Sequence, residues 1–352
     1  MRYVGKFSDP SSQPVASHFA IEKTYSIFAG KLRRFHGKPW YWYVSQPSLL
    51  LHNVKDALQF AIGYMQSLVL LAMWRPDVVF VKGGYVGLPV GLAAALLRIP
   101  IITHDSDVVP GLTNRVLARY AQTVAVGAPI EQYPQYAHKN VVYTGVPVRP
   151  EFLHARTIES AKAELQIPPS SEVIVITGGS LGAVRLNTAV LANVDTLMAD
   201  SRREVYWLTG AYGYKSIRTA IQHKAYKQRI HLEKYSDNVP ALFSAASVII
   251  SRAGATTLAE IAALAKPAII IPNPLLTGGH QVKNGDMYHR YNAATVISEQ
   301  QLREQPSSLI TAIHVLMNDE SLRAAYQRNL SALAAPNAAL TLAQIIIKEA
   351  KK

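Results

Sequence analysis

The feature that most constrains this chain is a recurring one: short runs of apolar, β-branched residues, apolar throughout rather than alternating, separated by longer stretches of helical pattern. In the first half such runs cover 2–4, 78–81, 99–103, 123–126 and 141–144. In the second half they cover 173–177, 205–208, 230–232, 248–251, 268–271 and 295–297, with helical patterns between them, for example over 256–264 and 281–291. A strand that is apolar on both faces must be buried on both faces, which is the condition of a parallel sheet layered by helices. Two such series predict an α/β protein with two doubly wound domains. The break falls at Pro147-Val148-Arg149-Pro150, where two prolines bar a continuing helix. The predicted division is 1–149, 150–334 and a C-terminal helix over 335–352. No internal repeat or low-complexity tract interrupts it.

Composition narrows the class. At 352 residues the chain exceeds one ordinary core, and with 49% hydrophobic and 17% charged residues it packs rather than remaining disordered. It has no cysteine, which excludes disulfide frameworks and thiolate chemistry and suits a reducing cytoplasm. Its opening residues lack the charged and apolar regions of a secretory signal. The formal net charge of +13 points to an anionic partner: nucleic acid, an anionic membrane surface or a phosphorylated substrate.

Three segments carry chemistry. Thr177-Gly178-Gly179-Ser180-Leu181-Gly182-Ala183 follows a strand and opens a helix, so its glycines admit a phosphate to the exposed N–H groups of a helix start. It is not the dinucleotide fingerprint, since Ser180 and Ala183 stand where glycines belong. Tight packing is the bland alternative. Ser251-Arg252-Ala253-Gly254-Ala255-Thr256-Thr257 repeats the arrangement, with Glu260 one turn inside. Here a diphosphate could sit at the helix start and a carboxylate could accept both ribose hydroxyls; the bland alternative makes Thr256 a helix cap and Glu260 a solvated side chain. In Thr277-Gly278-Gly279-His280-Gln281-Val282-Lys283-Asn284 the amides of Gln281 and Asn284 share one helical face and suit sugar hydroxyls. All three lie at the C-terminal ends of parallel strands, where such sheets bind ligands.

These motifs, together with Gly83-Gly84-Tyr85-Val86, Pro110-Gly111-Leu112-Thr113-Asn114 and Gly145-Val146-Pro147-Val148-Arg149, resemble those of the MurG family and follow its order along the chain, from about residue 1 to about residue 330. The resemblance implies two Rossmann-like domains in a GT-B arrangement. It implies inverting transfer of N-acetylglucosamine from UDP-GlcNAc to the muramyl-pentapeptide of a polyprenyl-diphosphate lipid, in peptidoglycan synthesis, with no cofactor and no metal. Ser180, Ala255, Thr256 and Thr257 would hold the diphosphate, Glu260 the ribose, Gln281 and Asn284 the sugar, and Ser236 in the Tyr235-Ser236 turn the uracil. Arg149 would lie near the donor phosphates, and Asp107 joins the substrate-binding groups. Other readings are a different UDP-sugar:lipid transferase, or a non-catalytic remnant that binds nucleotide or lipid with a partner chain.

The pattern departs from the family in three places. Met1-Arg2-Tyr3-Val4-Gly5 matches the family's second strand, so the first strand, its Gly-Gly-Thr-Gly-Gly-His loop and the following helix have no counterpart here. That strand is central in a 3-2-1-4-5 sheet, and without it the expectation is a gap of roughly 10 Å flanked by two unpaired edges. The favoured explanation is a start codon set too far downstream; a piece supplied by another chain and an inactive truncated copy are the others. His104-Asp105-Ser106-Asp107 replaces the commoner His-Glu-Gln-Asn, making His104 and Asp105 candidates to take the acceptor's proton. Asp-x-Asp is also a metal signature elsewhere, although aspartates before a helix are more often caps. Gly87 stands where the family often has serine.

One segment points to the bilayer. Over 31–43, cations mix with the consecutive aromatics Trp40, Tyr41, Trp42 and Tyr43, suiting a headgroup layer and anionic lipid. The apolar stretch 57–74 has marginal spanning length and reads as a core helix, so the expected location is peripheral, on the cytoplasmic face of the membrane. A nucleic-acid partner suits the charge but lacks any recognised module and is not expected.

Overall fold

The computed structural model describes residues 1–6, 21–31, 47–154, 156–179 and 183–352, without the side chains of 47–50 and 277. The chain forms two compact units: Met1–Thr144 together with Leu340–Lys352, and Gly145–Ala339.

In the first unit β1 (Arg2–Lys6) pairs in parallel with β2 (Lys23–Ile27), with Arg2 opposite Lys23. A 28-residue helix, α1 (Pro47–Trp74), leads to β3 (Val79–Val81), followed by α2 (Gly87–Leu96), β4 (Ile101–Asp105), α3 (Leu112–Leu117), β5 (Thr123–Val126) and β6 (Val141–Tyr143). Strands β3 to β6 form a parallel sheet in sequence order, and β1–β2 form a separate one. Yet Val4 and Ile27 pack into the same core as Leu71, Val79, Val81 and Ile101. Among the described residues no ladder joins β1 to β3, so one core serves two sheets and two strand edges lack partners within it. Phe80 of β3 is exposed between buried Val79 and Val81, so one face of that strand is uncovered.

The core-helix reading of 57–74 needs correction. Ser67 and Leu71 are buried, but Leu51, Val54, Leu58, Ile62, Met65, Val69 and Met73 are exposed at intervals of three and four residues. Among the described residues, only one face of α1 meets the fold. Residues Leu51–Trp74 are long and apolar enough to cross a membrane by length and composition, as is the stretch 320–350, which is two helices broken at 334–337. The first of them links β2 to β3, whose side chains share one core, which ties its two ends into the domain.

The second unit is built on one sheet. Its elements are α4 (Ile158–Glu164), β7 (Glu172–Thr177), α5 (Val184–Ala192), α6 (Val194–Leu197), β8 (Arg203–Leu208), α7 (Gly210–Ile221), β9 (Ile230–Glu233) and α8 (Val239–Ala245). There follow β10 (Val248–Ser251), α9 (Ala255–Ala263), β11 (Ala268–Ile270), α10 (His280–Arg290), β12 (Thr295–Val296), α11 (Glu299–Glu304), α12 (Ser308–Asn318) and α13 (Glu320–Leu333). All six strands are parallel, in the order β12-β11-β10-β7-β8-β9. Val173 to Ile176 are fully buried on alternating faces, as a sheet layered by helices on both sides requires. The last helix, α14 (Ala338–Ala350), contributes its Leu340–Lys352 portion to the first unit.

Gly145, at the border of the units, has φ +78°, and a Cβ there would lie 2.1 Å from the Cβ of Ala335. No other residue fits that position without displacing backbone. At Gly87 a Cβ would meet Val81 Cγ1 at 2.6 Å, so here Val81 takes the room that a side chain at 87 would use.

Candidate functional site

Strand polarity decides where ligand loops gather. In the second unit the segments after β7, β9, β10 and β11 all leave the sheet at its C-terminal edge. The residue capping α9 is Gly254, in extended conformation, and no side chain caps this helix. The Thr256 cap of the bland alternative is therefore absent; Thr256 is exposed, and the amides of Ala255, Thr256 and Thr257 form an uncapped helix start. One turn inside, Glu260 is largely withdrawn from water, and burial pushes its carboxyl up to about 7 against the opposing pull of Arg149. The bland alternative made Glu260 a solvated side chain; in the structure it is half-buried. Arg149 has its guanidinium 5.3 Å over the Phe152 ring and belongs to the same unit as Glu260. Ser236 follows β9, the far edge strand, beside exposed Tyr235. Ser180 lies outside the described residues.

The third segment behaves differently from its sequence reading. Asn284 is 2% exposed, and its Nδ2 donates to the carbonyl of Ala253 at 3.0 Å. It therefore ties α10 to the second loop. Gln281 is half-buried, and its Oε1 accepts from the Asn273 amide at 3.0 Å, leaving its Nε2 as the donor end.

In the first unit the two sequence-derived loops come together. Gly83 and Gly84 both have positive φ, and the hydroxyl of Thr113 donates to the Gly84 carbonyl at 2.8 Å. Asp105 is 4% exposed: its Oδ1 accepts from Asn114 Nδ2 at 2.8 Å and the Gly111 amide at 3.3 Å, and its Oδ2 from the Tyr136 hydroxyl at 2.9 Å. Burial still raises its carboxyl above the usual range. His104 is fully buried, with Nδ1 3.4 Å from the Ser106 hydroxyl. Asp105 thus ties together the backbone at Gly111 and the side chains of Asn114 and Tyr136. Asp107 is half-buried and its carbonyl accepts from the Tyr133 hydroxyl at 3.0 Å. Among the described residues, no group of three or more His, Asp or Glu side chains gathers as a metal site would need.

Sequence reading missed a further arrangement. Glu299, the first residue of α11, meets Arg252 Nη2 at 2.6 Å with Oε1 and Arg185 Nη1 at 2.5 Å with Oε2. The three residues are scattered along the chain, and no spacing rule links them.

Comparison with known proteins bears on both units. Residues 173–342 match the glycosyltransferase family 28 C-terminal domain, and 43–126 match the glycosyltransferase family 28 N-terminal domain. The chain is 34% identical over 304 residues to a protein of Natranaerobius thermophilus, spanning 86% of this chain and 82% of that one. It is 34% identical over 305 residues to one of Bacillus subtilis, with 86% and 82% covered. Both are named UDP-N-acetylglucosamine--N-acetylmuramyl-(pentapeptide) pyrophosphoryl-undecaprenol N-acetylglucosamine transferase. Among solved structures, MurG of Acinetobacter baumannii superimposes with a TM-score of 0.72 at 23% identity, covering 99% of this chain and 90% of that one. A UDP-GlcNAc 2-epimerase of Neisseria meningitidis bound to UDP-GlcNAc gives 0.58 at 15% identity, with 99% and 91% covered.

Proposed function

Because this chain belongs to the MurG family within glycosyltransferase family 28, we propose that it transfers N-acetylglucosamine, with inversion, from UDP-GlcNAc to the muramyl-pentapeptide of a polyprenyl-diphosphate lipid. The observation that carries the reading is the uncapped start of α9 with Glu260 one turn inside, beside Arg149. The diphosphate lies against the amides of Ala255, Thr256 and Thr257, where the helix dipole favours negative charge. Glu260, ionised when the donor is bound, accepts the ribose hydroxyls, and Arg149 lies near the phosphates. The Tyr235-Ser236 turn seats the uracil, and Gln281 donates to the sugar. As the acceptor hydroxyl attacks the anomeric carbon, the bond to UDP breaks and charge grows on the leaving diphosphate. Fixed dipoles already aimed at it lower that barrier without reorganising.

The lipid acceptor and the membrane enter through the first unit. The exposed stripe from Leu51 to Met73 on α1 gives an apolar face that a bilayer surface would cover. Its Met65, Val69 and Met73 also line a cleft of about 660 Å³, with Trp74, Arg2 and Lys23 among its walls. Cations next to apolar side chains suit an anionic headgroup layer on the cytoplasmic face.

The test is transfer of labelled N-acetylglucosamine from UDP-GlcNAc to a polyprenyl-diphosphate muramyl-pentapeptide in detergent. Product formation with an inverted anomeric centre is expected; turnover with UDP-glucose alone would overturn the donor assignment. Co-sedimentation with liposomes should require anionic lipid and fall with salt, and Val69→Glu on the stripe should weaken it. Binding indifferent to both would remove α1 as the membrane face.

A further inference from the structure

The pairing of β8 with β9 runs on past the ends of both strands. The Thr209 amide donates to the Glu233 carbonyl at 2.9 Å and the Gly210 amide to the Lys234 carbonyl at 3.1 Å, so the pairing reaches the residue just before the Tyr235-Ser236 turn. Strand β9 closes the sheet, and among the described residues β8 is its one ladder partner. Whatever fixes the end of β8 therefore fixes the entry to that turn. The end of β8 is held by Asn187, buried one turn inside α5. The indole Nε1 of Trp207 can only donate, and it lies 2.9 Å from Asn187 Oδ1. That leaves Asn187 Nδ2 for the Thr209 carbonyl, to which it donates at 2.9 Å. This carbonyl and the Gly210 N–H are the two ends of one trans peptide plane, which meets Asn187 on one side and Lys234 on the other. A Cβ at Gly213, in the first turn of α7, would stand 2.4 Å from Asn187 Nδ2, so the helix closes directly over the amide.

We propose that Asn187 is a positioning residue for recognition of the donor's base, setting the Tyr235-Ser236 turn through the Thr209–Gly210 peptide. A pair placed only to fill the core would not need polar atoms, because two buried partners exchanged for apolar groups of the same shape cost little. What the amide adds is direction. It holds the Thr209 carbonyl, and a rigid peptide plane cannot turn at one end without turning at the other.

The role rests on the reading of this unit as a UDP site with the uracil at that turn, and the experiment keeps the two apart. Affinity is measured for UDP by calorimetry and for ADP by competition; the two share ribose and diphosphate and differ in the base. The full chain is compared with Asn187→Leu, Trp207→Phe, the double variant of both, and Glu260→Ala. Asn187→Leu should weaken UDP about tenfold and leave ADP unchanged, so the preference for uracil falls. Trp207→Phe keeps the Asn187–Thr209 bond and should keep the preference, even where it lowers the melting temperature. The double variant leaves no indole N–H unpaired, so it remains informative if Asn187→Leu fails to fold, and it should show the same fall. In the unsubstituted chain, exchange of the Gly210 amide should slow more with saturating UDP than with saturating ADP. A preference unchanged by the Asn187 substitutions, or equal slowing by both nucleotides, overturns the positioning role. Glu260→Ala should weaken both nucleotides; if it weakens neither, the UDP reading itself fails, whatever Asn187→Leu does.

Discussion

The two units solve the same folding problem differently. In the second, six parallel strands make one continuous sheet, and β7, in its interior, is paired on both sides over its buried length. In the first, a two-stranded and a four-stranded sheet share a core while β1 and β3 each keep an edge that no described strand covers. A ligand loop inherits the rigidity of the strand behind it. The donor loops after β7, β10 and β11 leave strands braced on each side, and the Gly83-Gly84 loop leaves β3, which among the described residues is braced on one. The contrast teaches that a family's motifs can be present in order on scaffolds whose described strands are paired differently.

The largest effect should appear in hydrogen exchange. Amides of β1 and β2 should exchange about a thousandfold faster than those of β7 and β8, since a two-stranded sheet opens locally and a central strand only with its unit. Equal protection, read by mass spectrometry, would break the comparison. Next, Ile250→Ala in the core of the second unit should cost about 2–5 kcal/mol, whereas Val4→Ala, at a half-buried position, should cost below about 1.5 kcal/mol. Chemical denaturation followed by unit-specific probes measures both, and a reversed ranking would sink the argument.

Gly145→Ala sharpens the border between the units. A positive φ and the contact with Ala335 should together cost about 1–3 kcal/mol, seen as a lowered melting temperature. The smallest effect belongs to pH. Glu260 has a raised carboxyl, so its contribution to stability is fully present below the unfolded value of about 4.3 and is lost as pH rises through about 7. Glu260→Gln should remove that decline. UDP affinity runs the other way: it should strengthen by at most about tenfold from pH 6 to pH 8 as the carboxylate forms, relative to Glu260→Gln. A slope shared by both proteins would belong to the phosphate, not to Glu260.

Much of this was legible in the sequence. Buried parallel strands such as Glu172–Thr177 and Val248–Ser251 announce themselves because both faces must be apolar. Strand β2 did not, since Lys23, Thr24 and Ser26 make it polar and only its pairing with β1 defines it. The Gly254 turn and Glu260 were visible as a motif, whereas the burial that lifts the Glu260 carboxyl is a tertiary property. Spacing put Asn284 on one helical face with Gln281, but spacing cannot tell that its side chain is buried with Nδ2 donating to the Ala253 carbonyl. Asp105 was read as reactive from its neighbours in sequence, while the groups that occupy it, Asn114 and Tyr136, come from elsewhere in the fold. The Arg185–Glu299–Arg252 chain left no trace in any local pattern.

The central claim is that the second unit binds a uridine diphosphate at the start of α9 with the help of Glu260. Titration calorimetry of UDP into the full chain tests it most directly. One site per chain is predicted, with affinity lost in Glu260→Ala while the fold is retained. No detectable heat, or undiminished binding in Glu260→Ala, would contradict it.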